Sequence, residues 1–168
     1  MPGAGLSKDE GRHVMDIADL ISPAAVVARL RVGSKKQLLQ ELAKRAAELS
    51  GFAERQIFDI LLERERLGST GVGNGIAIPH GRLPGLTRLH GLFARVEPAV
   101  DFDSVDEQPV DLVFLLLAPE GAGADHLKAL ARVSRLLRDR QVCEKLRGAE
   151  SADALYALLT EAQTSHAA

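Results

Sequence analysis

Residues 110–118 read VDLVFLLLA, and this nearly unbroken apolar run decides the fold class of the chain. Such a run is typical of a central β-strand buried on both faces, which requires helices on either side of the sheet. A second strand is predicted over Leu89–Val96, and another over Ala24–Val32, where apolar and polar residues mostly alternate. The pattern therefore predicts an α/β fold, a single domain with a mixed β-sheet flanked by helices.

The two helices that precede the central strand have clear start and stop signals. The first begins at a capping box formed by Ser34 and Gln37 and ends at Gly51. Its apolar stripe comprises Leu38, Leu42, Ala43, Ala46 and Leu49. The second is predicted over about Ala53–Leu67, with Gly68 as its stop, so a cluster of charged residues lies in its last turns.

Two further helices are predicted after the central strand. Asp125 is expected to cap the first of them and Ser151 the second, because short polar side chains satisfy the free N–H groups of a helix start. The first of these helices carries a predicted apolar stripe of Leu127, Leu130, Val133, Ser134 and Leu137. Together the predicted helices suffice to cover both faces of the sheet.

Composition limits the classes of function. The chain has 168 residues, of which 46% are hydrophobic, so it can bury one real core. Its formal net charge is only −2 and its basic residues are dispersed, which argues against a nucleic-acid partner. Cys143, the single cysteine, allows neither an internal disulfide nor a cysteine-based zinc site.

The chain ends are expected to lie outside the domain. Residues 1–14 lack periodicity and are predicted to be a flexible N-terminal arm or a vector remnant, and residues 163–168 a C-terminal tail. The domain is expected over residues 15–162. Because no stretch approaches the roughly 20 apolar residues of a membrane span, we expect a cytoplasmic protein without membrane insertion.

A glycine-rich segment, GSTGVGNGIAIPHG at residues 68–81, precedes the central strand. It is not a nucleotide cradle, because no lysine follows its glycines and their spacing does not match the dinucleotide fingerprint. The segment ends on a stiff unit in which Pro79 restricts the backbone and presents His80 beside Gly81. From these residues alone, His80 is either an accessible nucleophile or a solvated turn residue.

The wider sequence around this segment has a recognisable pattern. Residues 68–82, GSTGVGNGIAIPHGR, with ERERLGST at 63–70 and FDSVDEQPVDLVFLLLAP at 102–119, closely resemble the enzyme IIA domains of the bacterial phosphotransferase system. The resemblance is to the fructose, mannitol and nitrogen-regulatory class and extends over about Met15–Thr160. It implies the mannitol-type enzyme IIA fold, which agrees with the pattern of strands and helices.

The resemblance also implies roles for three residues. His80 corresponds to the histidine that takes the phosphoryl group, through Nε2 while Nδ1 is held by a hydrogen bond. Arg64 corresponds to an arginine that would stabilise the transferred group, and His126 to a second histidine at the start of a later helix. The alternatives are that Arg64 is one more solvated helix charge, with Arg66 as the substitute, and that His126 is a helix-start residue without a ligand.

Three functions remain open from the sequence. The first is a nitrogen-regulatory enzyme IIA, which takes a phosphoryl group from an HPr-type phosphocarrier and acts on regulatory target proteins. The second is a sugar-specific enzyme IIA that passes the group to a IIB component, and the third is a non-catalytic binding module. No cofactor is expected. A zinc site formed by His80, His90 and His126 is disfavoured because no pair has the ligand spacing of a helix.

Overall fold

The computed structural model describes residues 15–167, with side chains up to residue 161. Within this part of the chain the β-sheet has six strands. They are β1 (Val26–Leu30), β2 (Gly71–Gly73), β3 (Ile76–Ala77), β4 (His80–Leu83), β5 (His90–Val100) and β6 (Val110–Pro119). The strand order is β1-β5-β6-β3-β2, and β4 also pairs with β6. Parallel and antiparallel pairs both occur, so the sheet is mixed, as predicted.

Strand β6 is central, and helices cover both of its faces. Leu112, Phe114 and Leu116 face one apolar cluster, whereas Val113 and Leu115 face the other. This alternation follows from the twofold periodicity of a strand, and each fully buried side chain of this size contributes about 1.5–3 kcal/mol to folding. The prediction that residues 110–118 form a strand buried on both sides is confirmed.

Five α-helices surround the sheet in the described residues. They are α1 (Lys35–Ser50), α2 (Glu54–Arg66), α3 (Gly123–Arg138), α4 (Arg140–Gly148) and α5 (Ala152–Ala167). Helices α1 and α2 cover one face, and α3, α4 and α5 cover the other. Helix α1 begins as predicted, because Ser34 Oγ accepts a hydrogen bond from the Gln37 N–H at 3.1 Å, and Gly51 ends it at φ 80°. No helix of the described part of the chain is both long and apolar enough to cross a bilayer.

The structure corrects several predicted boundaries and faces. The first strand is shorter than Ala24–Val32, because Pro23–Ala25 forms a 3₁₀ turn before Val26. Leu49 is 38% exposed, although it was assigned to the buried stripe of α1. Helix α4 was not predicted as a separate helix; Asp139 caps it by accepting hydrogen bonds from the N–H groups of its first turn.

The start and the buried face of α3 also differ from the prediction. Asp125 is not the N-cap, because the His126 N–H already donates to the Ala122 carbonyl at 2.8 Å, which places the helix start at Gly123. Leu127 is 67% exposed, and His126 is buried in its place. The predicted stripe of α3 is therefore correct in its C-terminal half, where Val133 and Leu137 are buried, and wrong at the start of the helix, where Leu127 is exposed.

The glycine-rich segment 68–81 is ordered, as predicted, but contains two short strands, β2 and β3, and the first residues of β4. Gly73 and Gly75 have φ angles of 99° and 81°, which side-chain-bearing residues rarely adopt. These turns let β3 and β4 pair one after the other with the same edge of β6. That arrangement brings His80 to the carboxyl end of the central strand.

Candidate functional site

Backbone pairing fixes the position of His80. It is the first residue of β4 and is in register with Leu116 of β6, and the Leu116 N–H donates to the Pro79 carbonyl at 2.9 Å. Pro79 is buried and His80 is half-buried, so the histidine is less accessible than a solvated turn residue. Gly81 lies against α2, where an added Cβ would lie 2.4 Å from Ile60 Cγ2. Gly81 therefore allows α2 to pack closely against β4.

Two hydrogen bonds determine the state of the His80 ring. Nδ1 lies 2.8 Å from the Ile78 carbonyl oxygen, which can only accept, so Nδ1 carries the proton and donates. In the neutral ring the lone pair then lies on Nε2, and Arg64 Nε donates to Nε2 at 3.3 Å. Nε2 is thus the nitrogen that could attack an electrophile.

The surroundings of His80 favour its neutral form. Burial lowers the pKa of His80, and the Arg64 charge lowers it further, whereas the hydrogen bond to Ile78 and the charge of Glu65 oppose this shift. The net effect is a pKa below the ordinary 6.5. At neutral pH the ring therefore keeps the Nε2 lone pair that nucleophilic attack requires.

Arg64 lies in the last turn of α2 and touches both His80 and the start of the glycine-rich segment. Its Nη1 donates to the Gly68 carbonyl at 2.9 Å, in addition to the Nε contact with His80 Nε2. No carboxylate of residues 15–161 forms an ion pair with its guanidinium. Arg66, the substitute suggested by the sequence, is exposed and lines a separate groove with Lys35.

His126 lies in the first turn of α3 beside His80. The two ring centroids are 5.5 Å apart with an interplanar angle of 70°. His126 is only 6% exposed, and its Nε2 has no hydrogen-bond partner among the described residues. Burial lowers its pKa, and the nearby His80 and Arg82 lower it further. A buried polar atom without a partner is costly, and at a helix N-terminus it can be satisfied by an anion.

Three residues near the site were missed from the sequence. Glu65 is buried, and its carboxylate accepts hydrogen bonds from both the N–H and the Oγ1 of Thr70. The same carboxylate forms an ion pair with Lys35. A signal for Glu65 was present, because Ile57, Leu61 and Glu65 are spaced by four residues on the buried face of α2. The partners Lys35 and Thr70 could not be assigned without the three-dimensional arrangement.

The other candidate groups lie away from this site. His90 begins β5, where it is half-buried, and burial and the neighbouring Arg88 lower its pKa. The described residues contain no group of three His, Cys, Asp or Glu side chains that could hold a metal ion. Cys143 is buried, and burial raises the pKa of its thiol, which disfavours the reactive thiolate.

Comparison with known proteins identifies the family. Residues 19–162 match the family described as "Phosphoenolpyruvate-dependent sugar phosphotransferase system, EIIA 2". The chain is 61% identical to the nitrogen regulatory protein of Bradyrhizobium diazoefficiens over 86% of this chain and 95% of that protein. It is 35% identical to the fructose-specific EIIA component of Haloferax volcanii, over 88% of this chain and 98% of that protein.

Solved structures give the same result. The nitrogen regulatory protein IIA-Ntr of Neisseria meningitidis superposes with a TM-score of 0.82 at 38% identity, covering 86% of this chain and 99% of that chain. The mannitol IIA protein of Escherichia coli shares the fold, with a TM-score of 0.69 at 20% identity over 82% of this chain and 97% of that chain. The chain belongs to the EIIA 2 family of the phosphoenolpyruvate-dependent phosphotransferase system.

Proposed function

We propose that this phosphotransferase-system IIA protein accepts a phosphoryl group on His80 Nε2 from an HPr-type phosphohistidine carrier and acts as a nitrogen-regulatory enzyme IIA. The observation that carries the proposal is the geometry of the His80 ring. Nδ1 is held at 2.8 Å by the Ile78 carbonyl, and Nε2 faces the Arg64 guanidinium. We place the domain at residues 15–162, with the segments 1–14 and 163–168 outside it.

The proposed reaction exchanges one phosphorus–nitrogen bond for another. The Nε2 lone pair attacks the phosphorus atom, while the bond to the donor imidazole breaks and its electron pair returns to the donor ring. The His80 ring gains positive charge, which the hydrogen bond from Nδ1 to the Ile78 carbonyl stabilises. No oxidant, metal or cofactor is needed to balance this step.

Catalysis of this step consists of alignment and positive potential. Phosphoryl transfer spreads negative charge over three equatorial oxygens, and a planar guanidinium can donate to two of them. Arg64 is suited to this role because its present acceptors, His80 Nε2 and the Gly68 carbonyl, are both neutral. His126 is the second donor that we assign to the phosphoryl oxygens, through the Nε2 that has no partner within residues 15–161.

The regulatory branch is favoured over sugar transport by the comparisons. Identity is 61% to the nitrogen regulatory protein of Bradyrhizobium diazoefficiens and 35% to the fructose-specific EIIA component of Haloferax volcanii. The second candidate function is a sugar-specific EIIA, because the match to the Haloferax protein covers 98% of its length. To separate them, the phosphorylated chain would be mixed with a fructose-type IIB domain. Retention of the group supports the regulatory role, and rapid transfer supports the sugar-specific one.

The central experiment is phosphorylation from phosphoenolpyruvate by enzyme I and an HPr-type carrier, followed by intact mass measurement. We expect wild type to gain one acid-labile phosphoryl group and His80→Asn to gain none. His90→Asn is the matched control and should behave as wild type, because His90 lies outside the site. Absence of an acid-labile group on wild type would instead favour a non-catalytic binding module, and equal labelling of His80→Asn would exclude His80 as the acceptor.

A further inference from the structure

A buried ion pair lies directly behind the candidate site. Glu65 is 8% exposed as a residue, and its Oε1 is 3.0 Å from Lys35 Nζ. We infer that Glu65, held by Lys35, is a positioning residue that keeps the His80 ring in its Nδ1-protonated form. This inference rests on the proposed function only in treating His80 as the acceptor.

An unbroken chain of hydrogen bonds connects Glu65 to the His80 ring. The Thr70 N–H donates to Glu65 Oε1 at 3.0 Å, and Thr70 Oγ1 donates to Oε2 of the same carboxylate. The Thr70 carbonyl accepts a hydrogen bond from the Ile78 N–H at 3.0 Å. The Ile78 carbonyl is in turn the acceptor for His80 Nδ1. Each residue thus orients the next, from the carboxylate to the imidazole.

The position of the Ile78 carbonyl decides which nitrogen of His80 carries the proton. A neutral imidazole places its proton on the nitrogen that has a hydrogen-bond acceptor, which leaves the lone pair on the other nitrogen. Ile78 is only 5% exposed, and its N–H donates to the Thr70 carbonyl, so the position of Thr70 helps to fix the Ile78 backbone. The two bonds from Thr70 to the Glu65 carboxylate therefore hold Thr70, and through it the Ile78 backbone, in place.

The charges of this network support the same role. A buried carboxylate is costly unless it is paired, and Lys35 reaches Glu65 from the first turn of α1 with only 19% of its side chain exposed. The Glu65 charge also opposes the lowering of the His80 pKa by Arg64. A purely structural anchor at this place could be apolar, whereas a carboxylate both accepts two hydrogen bonds from Thr70 and pairs with Lys35.

The test compares Glu65→Gln with Glu63→Gln, a control on the same helix whose side chain is exposed. Nitrogen NMR of the imidazole groups reports which nitrogen of His80 carries the proton, independently of any phosphorylation. We expect Nδ1–H in wild type and in Glu63→Gln, and a mixture of both tautomers in Glu65→Gln. The kcat of phosphorylation should fall about 10- to 100-fold in Glu65→Gln with KM unchanged, because the ring is misaligned while carrier binding is intact.

A second pair of variants tests the same chain if Glu65→Gln does not fold. Thr70→Ser keeps the hydroxyl donor and should retain the wild-type tautomer and rate, whereas Thr70→Val removes it and should behave like Glu65→Gln. A wild-type tautomer and rate in folded Glu65→Gln, or in Thr70→Val, would overturn the inference while leaving His80 as acceptor. Failure of wild type to become phosphorylated would overturn the proposed function. It would not affect the tautomer measurement, which tests the role of Glu65 independently of phosphorylation.

Discussion

Two arginines hold the glycine-rich segment 68–81, Arg147 at its middle and Arg64 at both of its ends, and their surroundings differ. Arg147 forms two bonds with the Asp111 carboxylate, at 2.8 and 2.9 Å, and a third with the Asn74 carbonyl at 2.8 Å. The hydrogen bond to Asp111 raises the pKa of Arg147. Arg64, which contacts Gly68 and His80 at the two ends of the segment, has only neutral acceptors in the described part of the chain.

The difference separates a structural arginine from one that is available to a ligand. A bidentate carboxylate balances the charge of Arg147 and uses the fork of donors that would otherwise bind an anion. Within the described residues, Arg64 presents the same fork without a carboxylate, next to the lone pair of His80 and to His126, whose Nε2 has no hydrogen-bond partner. Charge balance within the protein, and not residue type, thus distinguishes the two arginines.

The largest expected effect comes from removing each arginine in turn. Arg64→Gln should lower the phosphorylation rate about 100-fold, because it removes a donor aimed at transition-state charge. Arg147→Gln should leave the rate per folded molecule near wild type but reduce the free energy of unfolding by about 1–3 kcal/mol, since Asp111 and Asn74 lose their partner. Single-turnover phosphorylation and urea unfolding measure the two quantities.

The reverse outcome would contradict this comparison. If Arg147→Gln slowed phosphorylation as much as Arg64→Gln, the charge-balanced arginine would also take part in transfer. If Arg64→Gln destabilised the protein and left the rate of the folded fraction unchanged, the role of Arg64 would be limited to its hydrogen bond with the Gly68 carbonyl after α2. Arg64→Lys sharpens the test, because it keeps the charge and loses the planar fork.

Most of the fold could be predicted from the sequence because its signals are local. The apolar run at 110–118 and the cap at Ser34 were interpreted correctly, since strand period and capping chemistry depend on neighbouring residues. The predicted stripe of α3 fails in the first turn, because an apolar pattern favours Leu127 over its polar neighbour as the buried residue. His126 is the buried residue instead, so a polar ring lies beside the candidate site where an apolar side chain was expected.

The site could be predicted only where the resemblance reached it. His80, Arg64 and His126 were named from the family pattern, and the structure brings all three together. The Glu65–Lys35 pair joins two helices, and its partner Thr70 lies in the glycine-rich segment, so no local pattern predicts the complete network. The ion pair of Arg147 with Asp111 was missed for the same reason, since 36 residues separate its members.

An intermediate effect is expected at His126, whose buried Nε2 has no partner among the described residues. His126→Leu should raise the free energy of unfolding by about 1 kcal/mol, because it removes an unsatisfied buried polar atom. The same change should slow phosphorylation about tenfold by removing a donor near the transferred group. Urea unfolding and single-turnover rates measure both, and Leu127→Ala on the exposed face of α3 is the control.

Stability and activity are therefore expected to move in opposite directions at this position. No such opposition is expected at Arg147, where the polar groups of the ion pair already satisfy one another. A His126→Leu variant that is less stable than wild type would indicate that the ring makes a favourable contact in the free protein. An unchanged phosphorylation rate would return His126 to the role of a packed helix-start residue.

The smallest expected effect is a pH dependence of stability that comes from His80 and His126. The pKa values of His80 and His126 are both lowered by burial from the ordinary 6.5. The unfolded chain therefore binds more protons than the folded one once the pH falls below that value, so the free energy of unfolding should be constant above about pH 7.5 and decline on acidification towards pH 5.

His126→Leu should reduce this decline, because one of the two groups is gone. His90, whose pKa is also lowered, is present in both proteins and cancels in the difference. Urea titrations at intervals of pH measure the slope, and equal slopes in the two proteins would show that His126 can be protonated in the folded state without cost.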